Sequence, residues 1–129
     1  MKRASNSERA KVGARLKHFR DQAGLKVEAI ARLADIDRTH HYALERGDCW
    51  PSLDLLHTYA GILGEDMADF FVFPDDHPRH RFRELARLLK PSELTLVIEA
   101  AERVLGRSLD QIIESAHVQP QPSARRKTR

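Results

Sequence analysis

Apolar residues along this chain return every three or four positions, and the runs they form are cut by Gly24, Gly47, Gly64 and Gly106. That rhythm constrains the fold most, because a 3.6-residue period buries one side of a helix and does not suit a strand. Val12, Leu16, Phe19 and Ala23 mark the inner face of a first helix. Gly24 ends it, since glycine adopts the left-handed backbone of a helix stop freely. A short second helix fits residues 26–34, with Ile30, Leu33 and Ala34 inward and small Ala31 allowing close approach. Asp35 and Ile36 form a tight joint, and a third helix fits 38–46, ending at Gly47. Pro51 and Ser52 restart the chain, with Ser52 as N-cap and Asp54 in the first turn, where the helix dipole favours an acid. Leu53, Leu56, Ala60 and Leu63 make the fourth helix amphipathic. Asp66 is placed to cap a last short helix carrying Met67, Phe70 and Phe71.

Prolines and acids over 72–78 read as a linker. Beyond it, Phe82, Leu85, Leu88 and Leu89 suit another helix, and Pro91 is an apt first residue for the next. Leu94, Val97, Ile98, Ala101, Val104 and Leu105 form an apolar stripe up to Gly106, and Ser108 opens a helix with Leu109, Ile112, Ile113 and Ala116. The expected class is all-α, with no strand pattern and no internal repeat. The expected organisation is a flexible segment over 1–8, a five-helix domain over 9–71, the linker over 72–78 and a helical region over 79–117. A Pro-, Gln- and Arg-rich disordered basic tail follows over 118–129.

Composition excludes several classes. With 41% apolar and 32% charged residues the chain reads as a globular protein. No apolar run reaches the length of a membrane span, and no secretory leader pattern follows the N-terminal charges. A single cysteine, Cys49, forms no internal disulfide and fits a reducing compartment, so the expected location is cytoplasmic. Charge is polarised: residues 1–20 hold seven Lys/Arg against Glu8, residues 48–76 hold seven acids and no Lys or Arg, and the terminal RRKTR holds four cations. Such asymmetry favours a polyanionic partner on one side.

Residues 13–71 resemble the XRE-type, phage-repressor-like helix-turn-helix family. The resemblance rests on GARLKHFRDQAGL, on the run from Ile30 to Ala34, and on LERGDCWPSLDLLHTYAGILGED. LERG…PSL is followed by Leu56, Ala60, Leu63 and Gly64 at the family's spacing. It implies a lambda-repressor-like fold whose third helix, 38–46, enters the major groove of double-stranded DNA. Arg38, Thr39, Tyr42 and Ala43 then face bases, Lys26 and Arg46 face the backbone, and Arg20 and Glu45 form the family's ion pair between the first and third helices. Arg38 suits guanine, Thr39 a base edge or thymine methyl, and Tyr42 phosphate or a methyl. Amides at the starts of the second and fourth helices are expected to face phosphates. The chain departs from the family pattern at Val27 (usually a phosphate-touching glutamine), Asp35 (usually glycine) and His41 (usually small and apolar). Asp37 and Asp48 also stand where a neutral or basic residue suits phosphate better.

The other chemistry-bearing residues point elsewhere. Adjacent His40 and His41 on a helix point about 100° apart and do not converge on one metal. His77 and His80, with Asp75 and Asp76, are better spaced but read as a solvated hinge. No triad, phosphate-cradling glycine loop or paired carboxylates appear, so no enzyme, metal or cofactor is implied. The stripes over 79–117 are wide for a short segment. They imply packing on the first domain, on a second subunit, or both, with Leu94, Val97, Ile98, Ala101, Leu105 and Ile112 expected in a dimer contact. The expected function is a sequence-specific regulator, most simply a dimeric repressor reading a palindromic operator. The alternative is an antitoxin or adaptor whose C-terminal helices bind a protein partner.

Overall fold

The structure is a computed structural model and describes residues 2–117. The tail expected over 118–129, RRKTR included, lies outside the described residues. The described residues form α1 (Lys2–Gln22), α2 (Val27–Leu33), α3 (Arg38–Arg46), α4 (Leu53–Leu63), a short 3-10 helix (Met67–Phe71), α5 (Pro78–Leu88), α6 (Pro91–Leu105) and α7 (Leu109–His117), with no strand among them. The fold is all-α with an N-terminal helix-turn-helix domain. The chain divides into two compact units, the first ending at Leu88 and the second beginning at Leu89.

Local chemistry sets the turns. Asp35 takes a positive φ of 54°, alone among described non-glycine residues, a conformation that Asp tolerates better than most. Around it the Asp35 amide donates to the Arg32 carbonyl at 3.2 Å and the Ile36 amide to Ala31 at 3.0 Å. Gly47 closes α3 at φ 77°. The Ser52 hydroxyl accepts from the Leu55 amide at 3.1 Å, starting α4. The first helix begins at Lys2, where the sequence suggested a flexible segment over 1–8. No glycine or proline interrupts residues 2–12.

The core of the first unit joins Leu16 and Phe19 of α1, Ile30 and Ala34 of α2 with its C-cap, Leu44 of α3, Leu56, Tyr59 and Ala60 of α4, and Phe70. Four expected inner residues are exposed instead: Ala23, Leu33, Leu53 and Phe71. In α2 the buried stripe is Val27, Ile30, Ala31 and Ala34, a step of three, four and seven, and Leu33 falls at its edge. Between α1 and α3 the backbones nearly touch. A Cβ built on Gly13 would lie 2.4 Å from the Leu44 carbonyl oxygen and 2.5 Å from that of Glu45.

Segment 72–78, expected as a linker, is fastened to the first unit. Val72 is buried, Lys11 pairs with Asp76 at 2.7 Å, and the Phe73 amide donates to His80 Nδ1 at 2.8 Å. The unit then continues through α5, which the sequence grouped with the C-terminal helices. Arg15 of α1 donates to the Asp69 carbonyl at 2.9 Å and pairs with Glu84 of α5. Arg87 of α5 pairs with Glu84 at 2.8 Å and with Glu65 at 3.1 Å. Both guanidinium groups lie over the Phe19 ring, at 4.4 and 5.1 Å from its centroid. Ionic groups so enclosed need several partners each to offset lost hydration.

In the second unit, Pro91 is the first residue of α6 and the Lys90 amide donates to Glu93 at 2.7 Å. Ser108 and Gln111 exchange two hydrogen bonds at the start of α7, at 3.0 and 3.2 Å, the reciprocal cap of a helix N-terminus. None of the described residues of α6 or α7 is fully buried.

Candidate nucleic-acid interface

Inward contacts fix the rotation of α3 about its axis. His41 and Leu44 are buried. His41 Nδ1 lies 2.6 Å from the Tyr59 hydroxyl, and its Nε2 lies 2.7 Å from Glu45 Oε1. Burial pushes the Tyr59 hydroxyl's pKa up, with the Glu45 charge adding to it, so the group stays a donor. With Nδ1 accepting from Tyr59 and Nε2–H donating to Glu45, each ring nitrogen has a partner. Arg20 reaches the same carboxylate through Nε at 2.5 Å and Nη2 at 3.2 Å, and its Nη1 donates to the Leu25 carbonyl at 2.9 Å. Burial alone would raise the Glu45 pKa. Hydrogen bonds from Arg20 and His41 outweigh it and hold the carboxyl below its usual range.

The opposite side of α3 faces solvent. Arg38, Thr39 and Tyr42 are exposed there, Ala43 is half-buried, and Lys26 and Arg46 are exposed beside them. His40 is exposed as well. Neither arginine of α3 stands alone: Arg38 Nη1 lies 3.2 Å from Glu28 Oε1 and Arg46 Nε lies 2.9 Å from Asp48 Oδ2. Each contact uses one nitrogen of its guanidinium, so the other donors stay open to phosphate or a base edge. Each of these two cations is thus offset by an acid beside it.

The family departures acquire physical form. Val27 is buried and joins the core, so it makes no phosphate contact. Asp48 caps the charge of Arg46. At the start of α4 the Leu55 amide is already taken by Ser52, and so is not free for the phosphate expected there. Glu28 and Gly13 lie outside the residues that the sequence patterns single out. Glu28 meets Arg38 only across the turn, whereas a glycine inside an amphipathic helix was a legible sign of close approach.

The remaining candidates do not assemble. His77 Nδ1 accepts from the Arg79 amide and His80 Nδ1 from Phe73, and no metal-holding group of three or more His, Cys, Asp or Glu occurs among the described residues. Cys49 is half-buried against the core. No helix among the described residues is long and apolar enough to cross a membrane. In the second unit Ile98, Ala101 and Leu105 of the expected dimer contact are exposed, and Leu94, Val97 and Ile112 are half-buried.

A tight turn between two short helices, with the second helix locked from within and polar without, defines a helix-turn-helix domain. The family described as "Helix-turn-helix domain" matches residues 11–70. The chain is 31% identical to the restriction-modification controller protein C.AhdI from Aeromonas hydrophila, over 50% of this chain and 98% of that one, with a TM-score of 0.49. It is 30% identical to the clp gene regulator ClgR from Corynebacterium glutamicum, over 50% of this chain and 83% of that one, with a TM-score of 0.48. An HTH_3 family transcriptional regulator from Vibrio cholerae is 25% identical over 52% of this chain and 38% of its own, with a TM-score of 0.48. A search of the curated proteins gives no match. Residues 11–70 carry a helix-turn-helix domain of the XRE type.

Proposed function

We propose that this protein is a sequence-specific DNA-binding regulator that acts as a dimeric repressor in the cytoplasm and reads a palindromic operator through α3. The observation that carries this reading is the orientation of α3. Buried His41 and Leu44 turn Arg38, Thr39 and Tyr42 outward together. In this reading Arg38 takes a guanine edge, Thr39 meets a base edge or a thymine methyl, Ala43 lies against a base, Tyr42 reaches phosphate or a methyl, and Lys26 and Arg46 hold the backbone. The exposed and half-buried apolar residues of α6 and α7 supply the dimer contact, with Leu94, Val97, Ile98, Ala101, Leu105 and Ile112 at its centre.

A second reading, an antitoxin or adaptor that binds a protein through residues 79–117, draws on a different observation. Phe82, Leu85 and Leu88 leave an exposed apolar row on α5, while both arginines of the α3 face are engaged by acids. A gel shift with DNA from the gene's own upstream region, against excess unrelated duplex, separates the two. The regulator reading expects a shift that survives the competitor and is lost in Arg38→Ala. A shift equally lost to any competitor favours the adaptor.

A further inference from the structure

Glu28 stands in the first turn of α2, ten residues before Arg38, and the turn brings the two side chains together. Its carboxylate accepts from Arg38 Nη1 at 3.2 Å. That contact sets where the Arg38 guanidinium lies. The contact uses only Nη1 of Arg38, one nitrogen of a planar fork with five N–H donors. The edge formed by Nε and Nη2 remains, and such an edge matches the paired acceptors of guanine. An acid on a face that meets phosphate is otherwise unfavourable, since it repels the polyanion whatever its sequence. Its presence at this position is understandable if it gains discrimination in exchange for general affinity.

We infer that Glu28 is a specificity-determining positioning residue: by holding Arg38 Nη1, it presents the free edge of that guanidinium to one base pair of the operator. This inference rests on α3 being the DNA-reading helix. A long arginine chain loses rotamer freedom on binding, and holding it beforehand lowers that cost. Glu28 therefore sharpens the choice of base without touching DNA itself. Glu28→Ala frees the Arg38 side chain to search for phosphate instead.

The test measures binding of the full chain to its best duplex, selected from a random pool, and to the three single-base variants at the pair that Arg38 governs. Wild type, Glu28→Ala, Glu28→Gln, Arg38→Ala and the Glu28→Ala/Arg38→Ala double variant are compared, with unrelated duplex as the non-specific reference. Both Glu28 variants should narrow the preference at that pair by roughly two- to tenfold, the scale of one immobilised side chain. Binding to unrelated duplex should strengthen or hold. In the Arg38→Ala background, Glu28→Ala should change the preference no further. A purely structural role would weaken every duplex alike and lower the melting temperature in both variants. An unchanged preference in Glu28→Ala, alongside a lost preference in Arg38→Ala, overturns the role of Glu28 and leaves the DNA-reading helix intact. If Arg38→Ala keeps the wild-type preference, or wild type selects no sequence, the reading of α3 falls and this inference falls with it.

Discussion

His41 Nδ1 sits 2.6 Å from the Tyr59 hydroxyl, so the third helix is hydrogen-bonded to the fourth through the core. Both residues are fully buried, and the rings meet edge to face with centroids 5.5 Å apart. His41→Leu keeps apolar bulk but leaves the hydroxyl without its partner. A buried donor so orphaned costs about 1–3 kcal/mol. Urea unfolding near neutral pH should show that loss, and adding Tyr59→Phe should recover part of it. A His41→Leu variant as stable as wild type would contradict the assigned contact.

Two glycines inside helices should respond oppositely to alanine. At Gly13 a Cβ would collide with the α3 backbone, at 2.4 Å from the Leu44 carbonyl oxygen. The helices must separate, and Gly13→Ala should destabilise by about 1–3 kcal/mol in spite of better helix propensity. At Gly61 nothing lies within 4 Å, so Gly61→Ala should stabilise by roughly 0.5–1 kcal/mol. Thermal melting of the two variants decides the matter, and equal shifts would rule out the close α1–α3 crossing.

Much of this architecture was legible because its causes are local. The stop at Gly47, the cap at Ser52 and the left-handed Asp35 follow from single residues and their neighbours. The inner face of α1 follows from period alone through Val12, Leu16 and Phe19. What escaped was set by distant partners. Nothing near Glu84 announces that it pairs with Arg15 of α1, 69 residues away, so α5 was grouped with the C-terminal helices. Leu33 and Leu53 read as core because they are apolar, yet their helices turn other residues inward. The outward set on α3 came from the resemblance, while the partner of Arg38 emerged only from the folded turn.

The Arg15–Glu84–Arg87 cluster should make stability depend on acid. Hydrogen bonding from Arg87, then from Arg15, outweighs burial and holds the Glu84 carboxyl down at about 2, against 4.5 ordinarily. The folded state thus binds its proton less readily than the unfolded chain. The contribution is complete above the ordinary value and fades as pH falls from there towards about 2. Glu84→Gln should cost on the order of 1–3 kcal/mol at neutral pH, with the gap to wild type closing through that acid window. A gap independent of pH would show that the charge of Glu84 contributes nothing.

Assembly through α6 and α7 predicts a separable defect. Ile98 is 41% exposed and lies in the second unit, so Ile98→Asp should leave the first unit folded. It should yield monomers by light scattering at tens of micromolar and weaken binding to a two-half-site duplex far more than to a single half-site. A monomeric wild type under the same conditions would refute the dimer.

The central claim is that the outward face of α3 reads DNA sequence from two copies at once. Selection of wild-type protein against a pool of random duplexes tests it most directly. One inverted repeat should be enriched, its half-site centres about 34 Å apart, one turn of the double helix, with a guanine-containing pair in each half-site that loses its enrichment in Arg38→Ala. A pool that stays random through successive rounds, while the protein remains folded, would contradict it.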